Sequence, residues 1–294
     1  MCNLNIIIRK KKHQVITPFL QSVSSHSYVR NDDGDGIYIG STGEIFKSLY
    51  KMNYYAWEQE IEKSNVVFSF QRLATSGKEV AFVQPFRNEE FIFMHNGVAN
   101  SFLKDIGSDS WGFFNDFVKE FELLNHNRNS RTVRITKAIK TLLDNRVSDW
   151  YSMILYDLVE KKLYYWKNDT PSINFYRYNG LLYITTLEEN KKFLNMTGNG
   201  KRKEIEIKPY SIYKISPTKK KVRIKLIAKI SQPIEINEET IQTSIDEYVE
   251  EINGEYCSNC GDEIIEDGQI DKEDNSPWCG SCWKDKQLQE GEEE

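Results

Sequence analysis

The sequence predicts an α+β protein of stacked antiparallel sheets covered by helices, followed by a small cysteine-rich module. Three observations carry this reading. Eight runs rich in Val, Ile, Tyr and Phe look like strands, several of them joined in pairs through short polar turns, whereas helical spacing is confined to three segments. Four of the five cysteines fall between residues 257 and 282. A chain of 294 residues that is 39% hydrophobic and 13% aromatic can bury one sizeable core and a small appendage.

In chain order, the strand-like runs are LNIII, DGIYIGS, VVFSFQRLA, EFIFMHNG, SMILYDLVEKKLYYWK, FYRYNGLLYITT, SIYKIS and VRIKLIAKI. They are dense in β-branched and aromatic residues and are bounded by Gly, Asn, Asp or Ser. The spacing predicts helices over 41–64, 108–124 and 131–143, the second opening on the N-cap types Ser108 and Asp109. Hairpin-joined strands with few helices favour antiparallel sheets over a parallel one. Residues 201–229 alternate lysines with apolar residues and read as a hairpin with a solvated face, turning at Ser216-Pro217.

Cys257, Cys260, Cys279 and Cys282 form two C-x2-C pairs separated by 18 residues. Each pair presents two sulfurs on a tight turn, so the set predicts one tetrathiolate zinc with no open position, a structural metal. Disulfides would need an oxidising compartment, and nothing else in the sequence suggests one. Basic residues follow the first apolar run rather than precede it, and no run approaches the roughly 18 apolar residues of a membrane span. A cytoplasmic protein with no membrane partner is expected.

Charge divides the chain sharply. The formal net is -5, but residues 233–294 hold 20 acidic and 3 basic side chains, which is -17 and leaves +12 on residues 1–232. An acidic zinc module repels phosphate, so nucleic acid is not the expected partner. Protein docking or plain structural support fits it better. The stretch EETIQTSIDEYVEEI between body and module has the pattern of an acidic amphipathic helix.

The chain begins Met1-Cys2. If Met1 is removed, Cys2 carries a thiol and an α-amine that titrates near neutrality, so one residue supplies nucleophile and base. The histidines, at 13, 26, 95 and 126, make no Cys/His arrangement that would serve instead. A thiol attacking a carboxamide also needs oxyanion donors, and MHNG at the end of an apolar strand offers the Asn96 amide and the Gly97 N–H. By spacing alone, HNG reads more often as a turn.

Taken in order, MC at the start, RNDDGDGI (30–37), RLATSG (72–77), QPF (84–86), HNGVAN (95–100) and GSDS (107–110) resemble the class II, N-terminal nucleophile type glutamine amidotransferases. The likeness spans about the first 215 residues, with later hairpins and the strand IKPYSIYKIS resembling the family's closing elements. It implies a four-layer αββα sandwich of antiparallel sheets. It also implies a glutaminase in which Cys2 attacks the side-chain carboxamide of glutamine to give a γ-glutamyl thioester and ammonia, its amine shuttling the proton. Asn96 and Gly97 then hold the oxyanion, Arg72 the substrate α-carboxylate, Asp109 the α-ammonium, and Thr75 and Ser76 line the pocket. Without the resemblance, Arg72 reads equally as a surface ion pair and Asp109 as a helix cap.

Several positions depart from the family pattern. Asn31 replaces a usual glycine, Leu73 stands where some members have an aromatic residue, and Trp111 replaces a glutamate. The connection from Asn96 to Asp109 is short, and Asp105 is the alternative for the α-ammonium. The expected organisation is a glutaminase domain over 1–232, an acidic linker or helix over 233–253, a zinc-ribbon-like module over 254–286 and an acidic tail over 287–294. No ammonia-accepting domain is visible after residue 232, so the expected acceptor is a separate synthase or transferase. Two alternatives stand beside this: a catalytically silent scaffold binding partners through the ribbon, and an amidase acting on another γ-glutamyl compound.

Overall fold

The apolar run at the start forms β1 (Asn3–Arg9), every residue of which is buried. It lies at the centre of a seven-stranded sheet with β2 (Asp35–Ile39), β3 (Glu44–Ser48), β4 (Val66–Gln71), β9 (Asn174–Tyr178), β10 (Leu181–Thr185) and β11 (Lys203–Ile205), in the order β11-β9-β10-β1-β4-β2-β3. A second sheet runs β13-β12-β8-β7-β6-β5, from β5 (Phe86–Arg87), β6 (Phe91–Val98), β7 (Trp150–Asp157), β8 (Lys162–Lys167), β12 (Ser211–Pro217) and β13 (Val222–Lys229). The pairings whose register is defined are antiparallel. This is a computed structural model, and it describes residues 2–9, 15–74, 77, 79–102, 107–126, 129–144, 150–169, 173–178, 181–197, 203–217, 222–231, 269–270 and 277–278.

Two compact units divide the chain, the first made of residues 1–114 and 148–226 and the second of 115–147 and 227–294. Within the first unit, side chains alternate across each strand. Leu4, Ile6 and Ile8 of β1 join Phe68 and Phe70 of β4, Ile92 and Met94 of β6, and Ile154 and Tyr156 of β7 in one apolar layer between the sheets. The opposite face of the first sheet carries Ile7, Ile37, Ile39, Val67 and Tyr183 and is covered by α1 (Thr17–Tyr28) through Phe19, Leu20 and Val23. α1 has no N-cap side chain of its own; Glu62, from α2 (Glu58–Lys63), accepts from the amides of Ile16 and Thr17 at 2.7 and 2.9 Å. On the outer face of the second sheet, Phe113 and Phe114 of α3 (Asp109–Leu123) stack on Phe93 with centroids 5.2 and 5.6 Å apart. Helix, sheet, sheet and helix thus follow one another, as expected.

The second unit holds the rest of α3, α4 (Arg131–Leu143) and the end of β13. Ser130 caps α4 by accepting from Val133 N, and Arg131 and Arg134 lie over the Phe121 ring. Lys140 Nζ donates to Lys229 O at 2.9 Å, and Ser231 N donates to Asp144 Oδ1 at 2.9 Å. A two-residue pairing, β14 (Gln269–Ile270) with β15 (Pro277–Trp278), is the described part of the expected zinc module. Cys257, Cys260, Cys279 and Cys282, and the acidic stretch 233–253, lie outside the described residues.

The helix expected over 41–64 is corrected. Its first part is β3, paired with β2 from Asp35↔Ser48 to Ile39↔Glu44; only its second part is helical, as a 3-10 turn (Tyr54–Trp57) and α2. Edge pairing to β2 outweighs the local helical spacing. α1 has no counterpart among the expected helices.

Between α1 and the first sheet lies a buried polar network. Asp35 Oδ1 accepts from Tyr54 OH at 2.7 Å and Gln71 Nε2 at 2.9 Å, and Oδ2 accepts from Ser24 Oγ and Met52 N, both at 3.0 Å. Burial raises the Asp35 carboxyl above its ordinary range, and these four donors pull it back. Gln71 Oε1 in turn accepts from Asn3 Nδ2 at 2.6 Å. An amide at position 35 would present NH2 either to Gln71 Nε2 or to Met52 N, a clash of donors that no hydroxyl rotation relieves. Flipping Gln71 only transfers the clash to Asn3. Asp35→Asn is therefore expected to cost about 1–3 kcal/mol of stability, read as a lower denaturant midpoint at unchanged slope.

Candidate functional site

Cys2 immediately precedes β1, half-buried and packed against the layer between the sheets. Its Sγ accepts from Leu73 N at 3.4 Å and lies 3.5 Å from Leu73 O. Burial pushes the thiol up from its ordinary value; the Leu73 N–H and the positive charge of Arg72 act against this, and the negative charge of Asp109 adds to it. Arg72 follows β4 and is itself buried, which lowers its guanidinium, while Cys2, Asp33 and Asp109 favour its charged form. Cys2, Arg72 and Asp109, three of the expected site residues, thus act electrostatically on one another.

The backbone at Arg72 is held from the neighbouring loop. Arg72 N donates to Gly34 O at 2.8 Å, and Arg72 O accepts from Asp33 N at 3.2 Å. Asp33 Oδ2 then accepts from Ala74 N at 2.8 Å. The RNDDGDGI segment therefore acts as a clamp on the RLA segment that meets Cys2. Asn31 is buried and donates to Gln71 O at 3.5 Å, so its side chain is accommodated inside this clamp. Arg30 points away, in an exposed pair with Glu189 at 3.0 Å.

Asn96 and Gly97 lie within β6, paired with Ser152 and Tyr151 of β7. Alternation puts Asn96 on the face of Ile92 and Met94, toward the layer where Cys2 packs. The HNG segment is thus strand, not turn. Gly97 has φ +141°, and a Cβ there would come within 2.1 Å of Trp150 O, so the position takes no side chain without moving β7.

Asp109 opens α3 and is buried. Its Oδ2 accepts from Ala99 N at 2.8 Å and its Oδ1 from Ser110 N at 2.7 Å, while Ser108 Oγ takes the capping role toward Trp111 N at 3.4 Å. Asp109 therefore ties the helix to the chain leaving β6. Thr75, Ser76 and Asp105 lie outside the described residues.

Residue-type reasoning assigned no role to Gln84, His95 or Ser110, which brace the site. Gln84 Nε2 donates to His95 O at 3.1 Å, Gln84 Oε1 accepts from His95 N at 2.5 Å, and His95 Nδ1 bonds Ser110 Oγ at 2.8 Å. Because β5 pairs only Phe86 and Arg87 with β6, the Gln84 amide extends the ladder by side chain to His95, next to Asn96. The QPF motif was the available signal. Among the described residues no cluster of His, Cys, Asp or Glu is arranged to hold a metal, and no helix is long and apolar enough to cross a membrane.

Comparison with known proteins finds the same sandwich in solved structures. One is glutamine phosphoribosylpyrophosphate amidotransferase from B. subtilis complexed with ADP and GMP, at TM-score 0.53 and 13% identity, covering 77% of this chain and 49% of that one. Another is described as the allosteric regulatory enzyme of purine biosynthesis, at TM-score 0.54 and 14% identity, again covering 77% and 49%. The likeness is one of fold: an α+β sandwich of antiparallel sheets. The chain spans about half the length of the solved structures it resembles. No family model and no curated protein matches it.

Proposed function

We propose that this chain is a glutaminase of the N-terminal nucleophile type, releasing ammonia from glutamine for a separate acceptor enzyme. The observation that carries the reading is the contact of Cys2 Sγ with the backbone of Leu73, next to Arg72 and at the start of β1, on a sandwich that a glutamine amidotransferase shares. After loss of Met1, the Cys2 amine takes the thiol proton as Sγ attacks the γ-carboxamide carbon. The Sγ–C bond forms, the C–N bond breaks, and the proton leaves with ammonia. Water then releases glutamate and returns the thiol. Asn96 and Gly97 N–H stabilise the oxyanion of both steps. The Arg72 guanidinium binds the substrate α-carboxylate, and Asp109, with Thr75 and Ser76, completes the α-amino end and the pocket.

The acidic C-terminal segment serves, in this reading, as a docking element, with Cys257, Cys260, Cys279 and Cys282 holding one structural zinc. A four-thiolate set fits that ion and leaves no site for water. The pairing of β14 with β15 between the two cysteine pairs supports a ribbon. The proposed activity is tested by incubating the full chain with glutamine. Glutamate and ammonia should appear in equal amounts without any acceptor, and substrates lacking the α-carboxylate should be poor. Release of ammonia from other γ-glutamyl amides, with glutamine itself inert, would favour the amidase reading instead.

A further inference from the structure

We infer that Thr186 is a positioning residue for the Cys2 nucleophile, its hydroxyl standing in for strand pairing that gives out where the nucleophile sits. The inference rests on the reading of Cys2 as the attacking group. β1 and β10 pair as Asn5↔Thr185, so the next opposed residues are Leu4 and Thr186. A complete antiparallel pair would exchange two backbone bonds. One is made, from Thr186 N to Leu4 O at 3.1 Å. For the other, Leu4 N donates not to the Thr186 carbonyl but to Thr186 Oγ1, at 2.9 Å, just before the chain enters the 3-10 segment Glu188–Thr197.

The same Oγ1 donates to the carbonyl of Cys2 at 2.8 Å. One hydroxyl therefore accepts from the residue inside the strand and donates to the residue at its mouth, using both of its capacities. Fixing the Cys2 carbonyl fixes the rotation about its Cα–C bond, and with it the direction in which the thiol and the amine leave the backbone. This clamp acts on the Cys2 carbonyl, so removal of Met1 leaves it intact. Thr186 is buried, so water does not replace a lost hydroxyl freely.

The test compares Thr186→Val, which keeps shape and removes donor and acceptor, with Thr186→Ser, which keeps the hydroxyl. For Val, kcat with glutamine should fall by about 10- to 100-fold, the cost of a misplaced reacting atom, while KM moves by less than about two-fold. Alkylation of Cys2 by iodoacetamide should at the same time become faster, because a released terminus exposes the thiol. Ser should restore both rates. A Val variant with wild-type kcat, a Ser variant as impaired as Val, or turnover and alkylation falling together would overturn the assignment. If Val does not yield folded protein, Thr186→Ala replaces it, and Ala is judged against Ser by the same criteria. Should the wild type alkylate at Cys2 yet leave glutamine untouched, the glutaminase reading fails on its own, and the alkylation contrast still decides the role of Thr186.

Discussion

Cys2→Ala is expected to abolish glutamine hydrolysis, by about 10⁴-fold or more, the scale of losing a covalent nucleophile. The side chain is half-buried at the margin of the inter-sheet layer, so its truncation should leave the fold intact, and unchanged far-ultraviolet dichroism with a similar denaturant midpoint is the control. Burial holds the thiol above its ordinary value, with the Leu73 N–H and Arg72 opposing that shift and Asp109 reinforcing it. Burial thus favours the protonated thiol, and alkylation should accelerate as pH rises. Turnover at neutral pH then requires a base at the moment of attack, which is the part the reading gives to the amine of the same residue.

Asn96→Ala and Arg72→Lys should separate cleanly in steady-state kinetics. Loss of the Asn96 amide removes an oxyanion donor and should lower kcat by about 10²- to 10³-fold with little change in KM. Lysine at position 72 keeps the charge but replaces a planar fork with a point donor, so KM should rise while kcat changes little. The two residues reach the site by different routes, one within β6 and one at the end of β4. Small, equal effects from both would mean that glutamine binds elsewhere.

Much of this arrangement was legible from short motifs, because turns and strand ends impose narrow residue requirements. Gly97 sits where Trp150 O leaves no room for a Cβ, and RNDDGDGI supplies the Asp33 carboxylate, the Gly34 carbonyl and the Asp33 N–H that hold Arg72 and Ala74. The hairpins were readable from composition. The helix TPFLQSVSSHSY was not, since its serines carry weak helix preference and no N-cap marks it. Its start is made by Glu62, far along the chain, and Ser24 and Ser27 are buried against Asp35 and Asn3. β3 was hidden for the converse reason: spacing compatible with a helix was overridden by pairing with β2. Gln84 and Thr186 left no periodic trace, because at a strand end Gln84 supplies two side-chain bonds to the His95 backbone and Thr186 one to Leu4 N in place of backbone pairing, and such a substitution has no sequence spacing.

The central claim is that the Cys2 thiol forms a γ-glutamyl thioester, and the most direct test is mass measurement on the full chain quenched in acid during turnover. The account predicts a species heavier by one γ-glutamyl group, confined after digestion to a terminal peptide that begins at Cys2 and absent from Cys2→Ala. Protein that turns glutamine over with Met1 still attached, or with the adduct on another residue, would contradict it.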